Sequence, residues 1–169
     1  NDTDIATNAT NIANNVTDIA TNTSAISTLN DTTLANFTSE ARVYFDASGN
    51  TGVGEATLAN TSGSNNIAFG TSALSSSTSG SDNVAVGSNA LTSNSSGDQN
   101  TAVGSYVLTN NTTGFDNVAF GYNALYSNET GAANTAIGTK SLYFNLGTGN
   151  TATGQEALYT NTTGEYNVA

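Results

Sequence analysis

A period of 16 or 17 residues runs through about the last two-thirds of this chain. An Asn opens each unit, at Asn50, Asn66, Asn83, Asn100, Asn117, Asn134, Asn150 and Asn167, and two of the steps are 16 residues while the rest are 17. A Gly follows four residues later, as at Gly87, Gly104 and Gly121. Next comes a Leu, at Leu58, Leu74, Leu91, Leu108, Leu125, Leu142 and Leu158, and then a second Gly, as at Gly97, Gly114 and Gly131. A fixed period this short predicts a solenoid in which one unit is one coil. The short units lose their residue between the Leu and the second Gly, which places the deletion in a loop.

Each unit contains a strand of the form Asn-Thr/Val-Ala-Val/Phe-Gly. Thr101 and Val103, Val118 and Phe120, and Thr135 and Ile137 alternate with small residues such as Asn100, Ala102 and Gly104. Alternation puts bulk on one face and small groups on the other. Neither face is charged, so both are expected to be buried, one inside the coil and one against a second surface. The Ala column (Ala68, Ala85, Ala102, Ala119, Ala136) demands close approach, and a three-fold axis would supply it. A second strand is expected at Ala73-Leu74, Ala90-Leu91, Ala124-Leu125 and Ala157-Leu158, with each Leu stacked on the next at about 4.8 Å as the core column. Eight starts give a stack of seven steps, roughly 33 Å tall. The Asn column, at the same spacing, predicts a ladder of amide-to-amide hydrogen bonds. A single coil has little core, so stacking and trimerisation are expected to complete its burial.

The first 36 residues follow another rule. Ile5, Ile12, Ile19 and Ile26 lie seven apart, with Asn8, Asn15, Asn22 and Leu29 three residues after each. This is a coiled-coil seam with Ile at a, and no Gly or Pro interrupts it. Thr and Asn are poor helix formers, so partner helices must supply the stability. Three Asn side chains meeting at a shared axis would either direct amide N–H groups at an anion or bond to one another and to water. Residues 37–49 read as a connector, with strand character at Val43-Tyr44-Phe45 and a turn at Ser48-Gly49-Asn50. There Arg42 pairs with Glu40, Asp46 or a neighbouring chain, or forms an ordinary surface pair.

Composition narrows the function. The chain has no Cys, His, Met, Trp or Pro and a formal charge of −11. That field repels nucleic-acid backbones and anionic membranes, and no apolar run is long enough to insert in a bilayer. Without Cys or His the usual thiolate and imidazole ligands and bases are missing. Carboxylates such as Asp82, Asp98, Asp116, Glu129 and Glu165 sit near turns without recurring at one repeat position, so the chain reads as non-enzymatic, with no cofactor or metal. It starts at Asn and stops within a repeat, at "NVA", which reads as a segment of something longer.

The Ile-x-x-Asn heptads resemble the stalks of trimeric autotransporter adhesins. In those stalks axial Asn layers hold halide-like ions, which implies Asn8, Asn15 and Asn22 as chloride-type anion sites. Only Asn22 is followed by Thr, the fuller form of the motif. The Asn-x-Ala-Val/Ile-Gly coils of residues 50–169 resemble the heads of the YadA-like members and, equally, the repeat arrays of phage tail fibres. The resemblance implies a mostly β fold: a trimeric, left-handed parallel β-roll or β-solenoid, preceded by a trimeric α-helical coiled coil. The function it implies is that of a structural segment of an extracellular fibre, on a virion tail or a bacterial surface, that attaches to a host cell. Here the coils are longer than the usual head unit and the stalk precedes the roll.

Tyr126, Tyr143 and Tyr159 share one repeat position just after the Leu. They are expected to form a vertical stripe that either stacks as a ladder or contacts glycan rings. The sequons at Asn94, Asn111, Asn128 and Asn161 read as chance products of composition. Two other roles are open to a flat Thr-rich solenoid: a self-assembling extracellular filament subunit, or an ice- or crystal-surface binder.

Overall fold

The computed structural model describes residues 1–40, 43–59 and 62–169, with side chains in the first segment as far as Thr28. The chain divides into two compact units, Asn1–Glu40 and Ala41–Ala169. The expected seam contact of Leu29 and the pairing of Arg42 lie outside the described residues.

The first unit is one helix, α1 (Asp2–Glu40), which runs past the expected boundary at 36. Its 39 residues span about 58 Å at ~1.5 Å per residue. Asp2 and Asp4 occupy the first turn, where carboxylates oppose the positive end of the helix dipole. Thr disfavours helix because its hydroxyl competes for backbone groups. Here Thr7, Thr10, Thr17, Thr21 and Thr23 donate to the carbonyl four residues back at 2.8–3.0 Å, so the competition is resolved within the helix. Ile5, Ile12, Ile19 and Ile26 remain 60–68% exposed.

The second unit is a β-solenoid of about six turns of roughly 17 residues. Its strands are β1 (Val43–Phe45), β2 (Thr51–Val53), β3 (Ile67–Phe69), β4 (Val84–Val86), β5 (Thr101–Val103), β6 (Val118–Phe120), β7 (Thr135–Ile137) and β8 (Thr151–Thr153). They form one sheet in chain order. β2 to β8 pair in parallel, with Ala68, Ala85, Ala102, Ala119, Ala136 and Ala152 in register. β1 is the exception and pairs antiparallel with β2.

Two expectations are corrected. The Ala-Leu segment is not a second strand. It is a run of turns in which each Leu takes a left-handed conformation, for example Leu108 at φ 49°. A coil this short must turn several corners, and it turns one of them at the Leu. Coil-to-coil hydrogen bonds persist there, as from Leu108 N to Ala124 O at 3.1 Å. The faces of the strand are also assigned differently. The Ala column points into the coil and is fully buried, while the bulky residues face outward and are half-buried or exposed. The Leu column already fills the narrow lumen, leaving room only for a methyl group opposite. Leu58 to Leu142 are buried as expected, and Leu158 is partly buried against the same cluster.

Both glycine columns answer to the close stacking of coils. Gly104 sits at φ +131°, where L side chains are strained, and a Cβ there would lie 2.9 Å from the Gly121 carbonyl oxygen. Gly114 and its equivalents have no such φ, but a Cβ at Gly114 would lie 2.5 Å from the Gly131 carbonyl oxygen.

Candidate functional site

A buried polar seam runs beside the Leu column. Asn50, Asn66, Asn83, Asn100, Asn117, Asn134 and Asn150 are fully or almost fully buried, and Asn167 is partly buried at the end. Each Oδ1 accepts both the backbone N–H and the Nδ2 of the next Asn. At Asn117 these bonds come from Asn134 at 3.0 and 3.1 Å. From Asn50 to Asn150 each Nδ2 also donates to the carbonyl of the second Gly in its own unit, as Asn117 does to Gly131 at 2.9 Å. The amides thus use both ends, as burial requires.

A second ladder runs parallel to the first. Asn111 Nδ2 donates to Asn94 Oδ1 at 2.8 Å, Asn128 to Asn111 at 2.9 Å, Asn145 to Asn128 at 3.4 Å and Asn161 to Asn145 at 2.9 Å. Each also donates to its neighbouring Gly carbonyl, so Gly131 O receives both Asn117 and Asn128. Sequence reasoning missed this ladder. Four of its residues, Asn94, Asn111, Asn128 and Asn161, are the sequons, and the overlooked signal was their constant offset of three residues before the second Gly; Asn145, which is not a sequon, stands two before it. Asn94, Asn111 and Asn128 are buried and their amides committed, which leaves no accessible nitrogen for a glycan.

Ser77 stands where this ladder would continue below Asn94. It is buried, and its hydroxyl has no hydrogen-bond partner. Ser77→Asn is expected to add a rung and raise stability by about 1 kcal/mol, read as a higher urea midpoint at unchanged slope. A lower midpoint would show that this coil is not equivalent to those above it.

The first ladder ends on Asp46. Its carboxylate accepts Asn50 Nδ2 at 2.8 Å, and the Asn50 N–H, Ser48 N–H and Tyr44 hydroxyl at 2.9 Å each. The bonds from Asn50, side chain first, hold Asp46 below the usual carboxylate range. The hydrogen bond to Asp46 in turn raises Tyr44 above the usual phenol value.

Tyr126, Tyr143 and Tyr159 form the expected stripe. Ring centroids lie 5.1 and 5.2 Å apart, with planes 9° and 18° from parallel, so both faces of Tyr143 are covered by its neighbours. Burial, and then the flanking phenols, push Tyr143 above its ordinary value. Phe144 meets Tyr143 and Tyr159 edge to face, at 4.6 and 5.5 Å.

On the outer sheet face, the columns Ile67, Val84, Thr101, Val118, Thr135 and Phe69, Val86, Val103, Phe120, Ile137 carry no charge. Asn8, Asn15 and Asn22 are exposed on α1 at one position of successive heptads, so only other chains could gather them around an ion. Among the described residues, no group of three or more acidic side chains could hold a metal ion, and no helix is long and apolar enough to cross a membrane. Lys140 and Glu156 make an exposed pair at 3.9 Å, worth little to stability. Neither a family model, nor a curated protein, nor a solved structure matches the chain.

Proposed function

We propose that the chain is a structural segment of a homotrimeric extracellular fibre, of the phage tail-fibre or bacterial adhesin kind, that mediates attachment to a host surface. The observation that carries this reading is the exposed Ile strip on α1. Four Ile side chains at heptad spacing and at least 60% exposed leave the apolar seam of a Thr- and Asn-rich helix without cover. Parallel copies of the helix would bury it and set Asn8, Asn15 and Asn22 around a common axis as chloride-type sites. The uncharged outer face of the sheet gives three left-handed solenoids a surface on which to meet. The role is mechanical and non-enzymatic: the stalk trimerises and spaces, and the solenoid stiffens and projects.

The test is mass in solution together with helicity. Sedimentation equilibrium is expected to give three times the 17.0 kDa chain mass. Ile12→Asn combined with Ile19→Asn is expected to dissociate the trimer and melt the helical signal, because an isolated helix of this composition is not stable in water. A monomer that keeps its full helical content would overturn the proposal.

A further inference from the structure

The solenoid repeats itself closely enough that each coil is a control for the others. Two residues after the Leu, the described coils carry Ser76, Ser93, Asn110, Ser127 and Thr160, but one carries Phe144. Four residues after the Leu they carry polar groups such as Thr78, Ser95, Thr112 and Glu129, whereas the same coil carries Leu146. Thr78, Ser95 and Thr112 each use their hydroxyl to bond the next coil's carbonyl, at 2.7, 2.9 and 3.0 Å, a bond that Leu146 cannot make. Phe144 and Leu146 are 43% and 52% exposed. This coil is also a short one: between Asn145 and Gly147 it has one residue where its neighbours have two. The deletion and both departures meet at a surface notch of about 200 Å3 lined by Ser127, Glu129, Phe144, Leu146 and Thr162, from three successive coils.

Phe144 gains edge-to-face contacts with Tyr143 and Tyr159, but Leu146 gives up a coil-to-coil hydrogen bond and stays 52% exposed, and local rules broken together in this way mark a site rather than a scaffold. We propose that this notch is a binding subsite for a single pyranose ring of a neutral glycan. A sugar ring has an apolar C–H face and a rim of hydroxyls. The notch is lined by two apolar side chains, Phe144 and Leu146, beside three residues that carry hydroxyl or carboxylate groups, Ser127, Glu129 and Thr162. The chain's charge of −11 and a Glu among the lining residues disfavour phosphorylated or sialylated sugars. The edge-to-face contacts with Tyr143 and Tyr159 fix the Phe144 ring, so the Tyr stack positions the platform instead of being it. The inference deepens the attachment reading and rests on it for the source of the sugar.

The test titrates the whole chain with methyl glycosides of glucose, galactose, mannose and N-acetylglucosamine, following amide shifts by NMR. At least one is expected to bind saturably, with shifts centred on the five lining residues. Phe144→Ser with Leu146→Thr, which restores the residues of the other coils, is expected to weaken binding by roughly tenfold or more at unchanged mass and with the amide signals of the distant coils unshifted. Inserting a Thr between Leu146 and Gly147 fills the notch and is expected to have the same effect. The proposal fails if no glycoside binds, if both variants bind as the parent does, or if a blocked Phe-Leu dipeptide competes better than any sugar. Failure with a threefold mass would leave the fibre reading standing. A monomeric chain that binds sugar at the notch would keep the subsite and lose the fibre.

Discussion

Asn117→Ala is expected to lower stability by roughly 3–5 kcal/mol, far more than an ordinary surface substitution. Asn117 sits mid-ladder and is fully buried, and four hydrogen bonds disappear with its amide. Two run from it, to Asn100 Oδ1 and Gly131 O, and two come to it, from Asn134 N and Nδ2. Most of those partners keep a second bond. The Asn134 N–H is orphaned inside the protein, and that desolvated donor, with the void beside it, dominates the cost. Asn167→Ala removes the same side chain at the end of the ladder, where it is partly buried, and should cost about 1 kcal/mol or less. Urea unfolding of the two variants checks the pair. Equal, small losses would show that the ladder is a passive consequence of stacking.

Gly114→Ala is expected to cost at least about 3 kcal/mol or to prevent folding of the coils around it. One methyl group suffices, because it would meet the Gly131 carbonyl oxygen at 2.5 Å and the Asn111 and Asn128 amides as well. Neither coil can retreat without stretching the hydrogen bonds that the Gly carbonyls receive from both ladders. Gly154→Ala separates this effect from backbone strain. It sits at φ +130°, but its Cβ would meet nothing nearer than Ala157 at 4.0 Å. It should show the conformational penalty alone, about 1–2 kcal/mol. Thermal or urea midpoints check both, and a milder effect at Gly114 than at Gly154 would overturn the account.

The period alone delivered the solenoid, the first Asn ladder, the buried Leu column and the Tyr stripe, because each depends only on identical residues returning at identical places. What the period could not convey was the path of the chain between those places. Leu108 looks like a strand residue, since Leu is a poor choice for a left-handed corner, yet the corner is where its side chain reaches the lumen. Alternation around Ala102 was correctly read as two faces, but which face points inward depends on lumen width, and the Leu column sets that width. Asn94, Asn111 and Asn128 were in plain view as sequons, and a surface motif drew attention from their burial. The notch at Phe144 was hidden for a different reason: it exists only as a departure from its neighbours, and its meaning needs three coils side by side.

The antiparallel β1 gives the solenoid a direction. Every other strand offers its neighbour a parallel template, so a bare first coil would invite another solenoid to dock beneath it and continue the pile. β1 occupies that template in the opposite sense, and Asp46 spends the lowest amide on a carboxylate. A short, reversed edge is poor seed material for runaway growth. A second solenoid that continued the parallel stack at this end would first have to displace β1 from β2 and break the Asp46–Asn50 hydrogen bonds.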